Sequence, residues 1–222
     1  MFCTNCGEET QPEHSLCTHC GFDLSAVIAL LDEPDDDYDY VDDETRSAEE
    51  IARRALTLAA VISCAYGEDR VHISDWLKNE NLWQEVTSQE REFLTSKTSA
   101  EVASRFSWKI EALVPLLWVM GKIDIMPGID KQCDTESLKQ AVIWPPNLTQ
   151  AYISSACLRD EETIYDEYEK VYQAHWAVRD AEINNKPVPE GIDPEVIYER
   201  HYGFNWLTGY MGQSWDDITT DT

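Results

Sequence analysis

The chain has 222 residues, with 43 Asp and Glu against 17 Lys and Arg, a formal charge of −26 and a pI near 4.3. That balance excludes a protein that grips nucleic acid or an anionic membrane, since phosphate binding needs Lys and Arg to displace counterions. With 43% hydrophobic residues and eight Trp the chain is no disordered polyelectrolyte, and its length suits one domain plus an appendage.

Taken in chain order, the first element is a repeat. Cys3-Thr4-Asn5-Cys6-Gly7 and Cys17-Thr18-His19-Cys20-Gly21 share the pattern C-T-x-C-G. Two residues between thiolates let one tight turn aim both sulfurs at a single ion, and the following glycine permits positive φ. Two such turns supply four soft ligands in a tetrahedron, which predicts one structural zinc on Cys3, Cys6, Cys17 and Cys20, with no coordination position left for substrate. About twenty residues cannot build a core, so metal binding would be the folding energy of this unit. Disulfides suit a secreted chain, but the cysteine total of seven is odd. Iron in a rubredoxin-like site has the same spacing and stays open as the alternative metal. His14 and His19 read as exposed loop residues. Residues 2–23, with both motifs intact, resemble the short zinc-ribbon modules found at the N-termini of many bacterial proteins.

Residues 24–46 read as an acidic linker: nine of the thirteen residues from 32 to 44 are Asp or Glu and none is basic. Such a block repels itself and cannot bury enough surface to offset its ordering entropy. A second reading makes it an interaction tail, with Tyr38 and Tyr40 as anchors for a basic partner. The head, residues 1–46, carries −12 of the charge, and residues 47–222 carry −14. Residues 1–6 lack a basic region and an apolar stretch. The longest clean apolar run, residues 112–120, has nine residues including Pro115, whereas a bilayer needs roughly 20. The expectation is a cytoplasmic protein with no membrane partner.

Residues 47–222 read as one all-α, multi-helix domain. The capping box Ser47-Ala48-Glu49-Glu50 opens a run to Tyr66 that Gly67 ends. Ser74-Asp75 starts a shorter helix. Thr87-Ser88-Gln89-Glu90 is a second capping box and Thr98-Ser99-Ala100-Glu101 a third, the last starting a long helix to Gly121 that is kinked at Pro115. Asp134 caps residues 135–143 before Trp144-Pro145-Pro146 stops them, and residues 148–158 form a short helix. Acid at Asp160-Glu161-Glu162 favours the start of a helix to about Asn185, and Pro194 opens the last one, towards Tyr210. The tail from Trp215 either docks through that ring, with its Asp and Thr side chains capping main-chain groups, or frays. Cys64, Cys133 and Cys157 read as buried, reduced thiols.

A family resemblance rests on motifs spread in order along this domain: Arg54-Ala55-Leu56, Trp76-Leu77, Trp108-x-x-Glu111-Ala112-Leu113, Leu117-Trp118-x-x-Gly121, Cys133-Asp134, His175-Trp176-Ala177-x-Arg179-Asp180, Glu199-Arg200-His201-x-x-x-Asn205-Trp206-Leu207 and Trp215-Asp216-Asp217. Residues from about 50 to 222 resemble the bacterial domain-of-unknown-function family 4272. The resemblance implies an all-helical fold and a cytoplasmic bacterial protein, and it implies no activity.

Among polar residues, Glu111 shares a helix side with Trp108, Pro115 and Trp118, so it must be paired or its pKa must rise. Arg54, Arg179 and Arg200 are the candidate partners. His175 and Arg179 lie one turn apart on a face that carries Tyr168 and Tyr172, with Asp180 adjacent. His201 and Asn205 are likewise one turn apart, beside Glu199 and Arg200. Two functions follow. The first is a non-enzymatic binding or regulatory protein whose partner is a basic protein, motivated by charge and by the absence of nucleotide-loop, serine-elbow and metalloprotease motifs. The second is an enzyme with a polar cleft built from Glu111, His175, Arg179 and His201.

Overall fold

The computed structural model describes Glu8, residues 15–23, 44–136, Leu138 and 148–222. The chain divides into two compact units, residues 1–42 and 43–222. In the first, Leu16 and Asp23 form an isolated antiparallel bridge around the second cysteine pair. Cys3, Cys6, His14, Tyr38 and Tyr40 lie outside the described residues, as does most of the expected linker.

In the second unit the regular elements among the described residues are all helices, without a β-strand. Its helices are α1 (Ala48–Ala65), α2 (Arg70–Asn79), α3 (Ser88–Thr95), α4 (Ala100–Trp108), α5 (Ile110–Val119), α6 (Thr149–Ser154), α7 (Glu161–Ile183) and α8 (Pro194–Leu207). The capping boxes at Ser47 and Thr87 form as read, each with Glu at the third helical position bonding back to the cap amide. Asp160 and Asp193 cap α7 and α8 through their side chains.

Several boundaries differ from the sequence reading: α6, expected over 148–158, ends at Ser154, and the third capping box does not form, Ser99 and not Thr98 capping α4. Helix α2 begins at Arg70, before Ser74, because the Asp69 carboxylate accepts the His72 amide and supplies an earlier cap. The expected long helix from Ser99 to Gly121 is two helices, broken at Lys109, with Ser99 as its N-cap. Pro115 lies inside α5, so the break falls a turn and a half before the proline and not at it. Helix α8 stops at Leu207, short of Tyr210. The helix expected over 135–143 and its Trp144-Pro145-Pro146 stop lie almost wholly outside the described residues, although Asp134 does accept the Glu136 amide. Cys64 and Cys133 are buried as expected, whereas Cys157 is exposed in the segment joining α6 to α7.

Every residue of α5 is buried, and α8 is buried from Glu199 to Leu207. These two helices form the centre of the unit, with α1 against α4 and α5, and α7 against α8. Gly203 sets their separation. A Cβ at that position would lie 2.5 Å from the Ala112 carbonyl oxygen and 3.2 Å from its Cα, so only glycine admits the backbone of α5 this close. The tail docks: Trp215 is buried, Tyr202 donates its hydroxyl to the Trp215 carbonyl, and Asn205 Nδ2 donates to the Thr219 carbonyl at 2.7 Å.

Candidate functional site

Because α8 is covered on most sides, its polar residues point into different neighbours. Arg200, wholly buried, donates from Nε and Nη2 to Glu111 Oε2 at 3.0 and 2.9 Å. Its remaining donors go to the Pro127 and Gly128 carbonyls, and Glu111 Oε1 accepts the Cys133 amide at 2.6 Å. Of the three candidate partners for Glu111, Arg200 is the one it meets. Every nitrogen of the guanidinium and both oxygens of the carboxylate have a partner, which is what a buried ion pair requires to offset its desolvation. Burial and the Glu111 carboxylate together push the Cys133 thiol well above its ordinary range, leaving it an inert thiol.

One position earlier, Glu199 accepts from Lys109 Nζ at 2.9 Å, and the same ammonium lies 3.6 Å from the centre of the Tyr202 ring. Burial raises the Glu199 carboxyl, and Lys109 opposes that shift. One position later, His201 Nδ1 meets His175 Nδ1 at 2.8 Å, both rings being buried. One imidazole must donate and the other accept, so the accepting ring is neutral when this bond forms. His201 Nε2 has no hydrogen-bond partner among the described residues. Asn205, a turn on, accepts from the Tyr168 hydroxyl at 2.8 Å. On α7, exposed Arg179 pairs with Glu182, and Asp180 accepts from Lys186 Nζ at 3.0 Å and from Asn184 Nδ2 at 2.7 Å.

The eight residues singled out in the sequence therefore fall into separate groups. Glu111 joins Arg200, His175 joins His201, Glu199 joins Lys109, Asn205 ties α7 to the tail, and Arg179 and Asp180 pair locally. Two hollows adjoin these groups. A smaller one, about 290 Å³, is bordered by His175, Arg179, Glu182, Tyr198 and Asp221. A larger one, about 580 Å³, lies between α4, α8 and the tail, with Phe106, Trp108, Tyr198, Tyr202 and Trp215 in its lining. Glu90, Glu195, Glu199 and Asp216 line it too, against Arg105 and Lys109. Sequence reasoning gave Lys109 and Glu90 no site role. The first stands where one helix was expected, and the second already had a use in a capping box, with Arg54 as its buried partner.

Among the described residues no group of three or more His, Cys, Asp and Glu side chains is placed to hold a metal ion. The part of the cysteine site that is described, residues 17–21, forms a tight turn. Gly21 donates its amide to the Cys17 carbonyl at 2.8 Å with φ +71°, and the Cys17 amide donates to Phe22 O at 2.8 Å. No described helix is long and apolar enough to cross a membrane.

An all-helical unit with acid-rich surfaces and internally paired polar residues defines the class. The chain belongs to the family described as domain of unknown function DUF4272, which matches residues 34–218 and so begins inside the acidic segment, earlier than the resemblance near residue 50. No curated protein and no solved structure matches it.

The histidine pair gives a pH prediction. Burial, reinforced by His175, pushes the His201 imidazole down to about 4, with Asp221 and Asn205 opposing. Burial and then Arg179 lower His175, with Glu182 opposing. Unfolded imidazoles titrate near pH 6.5, so between about pH 6.5 and 4 the unfolded chain binds more protons than the folded one. The contribution is present above that window and is lost as pH falls through it, by on the order of 3 kcal/mol. Urea unfolding across this range should show a steeper loss for the native protein than for His201→Gln. Parallel curves would contradict the assignment.

Proposed function

We propose that this is a cytoplasmic, non-enzymatic binding protein for a basic protein partner, carrying a zinc-held head. The observation that carries the reading is where the arginines go. Arg46 donates to the Trp206 and Gln213 carbonyls, Arg54 to Glu85, Arg70 to Ser96, Arg159 to Trp118 and Ile123, and Arg200 to Pro127 and Gly128. Four of these also lie over aromatic rings, at 4.2 to 4.8 Å from the ring centres of Trp206, Trp215, Phe93 and Trp118. Five of the nine arginines are thus held by internal contacts, and with 43 acids against 17 bases carboxylates dominate what faces water. A field of one sign steers and holds a partner of the other. The enzyme reading, with Glu111, His175, Arg179 and His201 in one cleft, has less support, because Glu111 is committed to Arg200 and Arg179 to Glu182, and of the four only the two histidines meet.

A short amidated peptide of Lys, Arg and Gly is the probe. Titration calorimetry on the full chain should show binding at about 50 mM salt that weakens at least roughly tenfold by 300 mM, as screening shortens the reach of the acidic surface. No heat at low salt, or affinity indifferent to salt, contradicts the reading.

For the head, the Cys17–Gly21 turn has the form that a C-x-x-C-G metal knuckle needs. Its Gly21 amide closes the turn on the Cys17 carbonyl and its positive φ suits glycine. Cys3, Cys6, Cys17 and Cys20 would hold one zinc, whose role is to fold the unit. Elemental analysis of folded protein should give about one zinc per chain, lost in Cys17→Ser/Cys20→Ser. A value near zero, or iron in its place, overturns the zinc site.

A further inference from the structure

We propose that the larger hollow of the helical unit receives a lysine or arginine side chain from the partner's basic segment. This rests on the binding reading above and names its site. The fold uses one motif repeatedly. Beside the hollow, Arg54 lies 4.7 Å from the centre of the Trp215 ring and is paired with Glu90. Lys109 lies over Tyr202 and is paired with Glu199 at 2.9 Å. Arg46 lies 4.6 Å from the Trp206 ring centre, with Glu50 at 4.0 Å. Each time, a cation is held between the negative face of an aromatic ring and a carboxylate, the two groups that best replace its water.

The mouth of the hollow carries the same components without an internal cation to fill them. Tyr198 is 43% exposed and Trp108 half-buried, and the carboxylates of Glu195 and Asp216 border the same space. The nearby internal cations, Lys109 and Arg54, face Tyr202 and Trp215 and leave Tyr198 and Trp108 to a visitor. Arg105 stands on the α4 side of the lining and is exposed, so a second cation is best received from the side of Glu195 and Asp216. At about 580 Å³ the space lies within the range of sites that enclose a ligand group. An anion fits poorly. Lys109 is already neutralised by Glu199, which leaves Arg105 against two carboxylates.

The test uses the full chain and the Lys/Arg/Gly peptide, compared with the same peptide carrying acetyl-lysine and citrulline. Glu195→Gln and Tyr198→Ala change exposed residues outside the core, and an unchanged melting temperature verifies the fold. Each should weaken peptide binding about 3- to 10-fold, and the neutral peptide should not bind. A control replaces Asp35, Asp36, Asp37 and Asp39 with Asn. If that control abolishes binding while Glu195→Gln and Tyr198→Ala bind like the native chain, the hollow is not the seat and only this inference falls. If the native chain binds neither peptide, the binding reading falls with it.

Discussion

Where Gly203 meets the main chain of Ala112, two helices approach more closely than any side chain at 203 would allow, and whatever is polar between them must be satisfied without water. Glu111 precedes Ala112 by one residue, and Arg200 precedes Gly203 by three. The close crossing therefore brings a carboxylate and a guanidinium together inside the core. The pair works because every nitrogen and oxygen of the two heads has a partner. Two donors serve Glu111 Oε2, two carbonyls take the rest of the guanidinium, and Glu111 Oε1 takes the Cys133 amide. Through those carbonyls and that amide, the segment after α5 is held to α8. A hydrophobic pair could fill the same volume, but it could not bind residues 127, 128 and 133.

The same logic extends to the other arginines. A helix ends with carbonyls that lack intrahelical donors. Arg46 serves the end of α8 and Arg159 the end of α5, each also lying on a tryptophan of that helix. The guanidinium suits this work because it is planar, carries five donors and is weakly hydrated. The consequence for function is electrostatic. Arg54 and Arg200 each take a carboxylate inside with them, so residues 47–222 keep their formal −14 on the surface. Of the rings that hold arginines, Trp215 also lines the larger hollow. Structure and binding draw on one chemical device, a cation between ring and carboxylate.

Much of this was legible in the sequence. Ser47/Glu50 and Thr87/Glu90 marked helix starts because a capping box is local, and Pro194 marked another because its fixed φ suits a first turn. Glu111 stood out as a carboxylate among apolar residues, and its need for a partner followed from desolvation alone. Which arginine would answer depended on the crossing at Gly203, a contact 91 residues distant from Ala112 in the chain that no local pattern encodes. The grouping of His175 with His201 is of the same kind, since each was visible only as part of its own helix. The break at Lys109 was missed because the apolar pattern runs on through it. The larger hollow was illegible for a similar reason: its walls come from α4, α8 and the tail, and only their packing places Trp108 near Tyr198 and Trp215.

The central claim is that the Glu111–Arg200 pair is structural, its full satisfaction holding α5, α8 and the intervening segment together. Comparing Arg200→Met with Glu111→Gln by urea unfolding tests it directly. Arg200→Met leaves a buried carboxylate without its cation and orphans two carbonyls, and should cost about 3–5 kcal/mol. Glu111→Gln removes the charge but keeps an acceptor for the Cys133 amide, and should cost clearly less, about 1–3 kcal/mol. If Arg200→Met leaves stability within about 0.5 kcal/mol of the native chain, the size of an ordinary surface substitution, the pair does not hold the fold and the account fails.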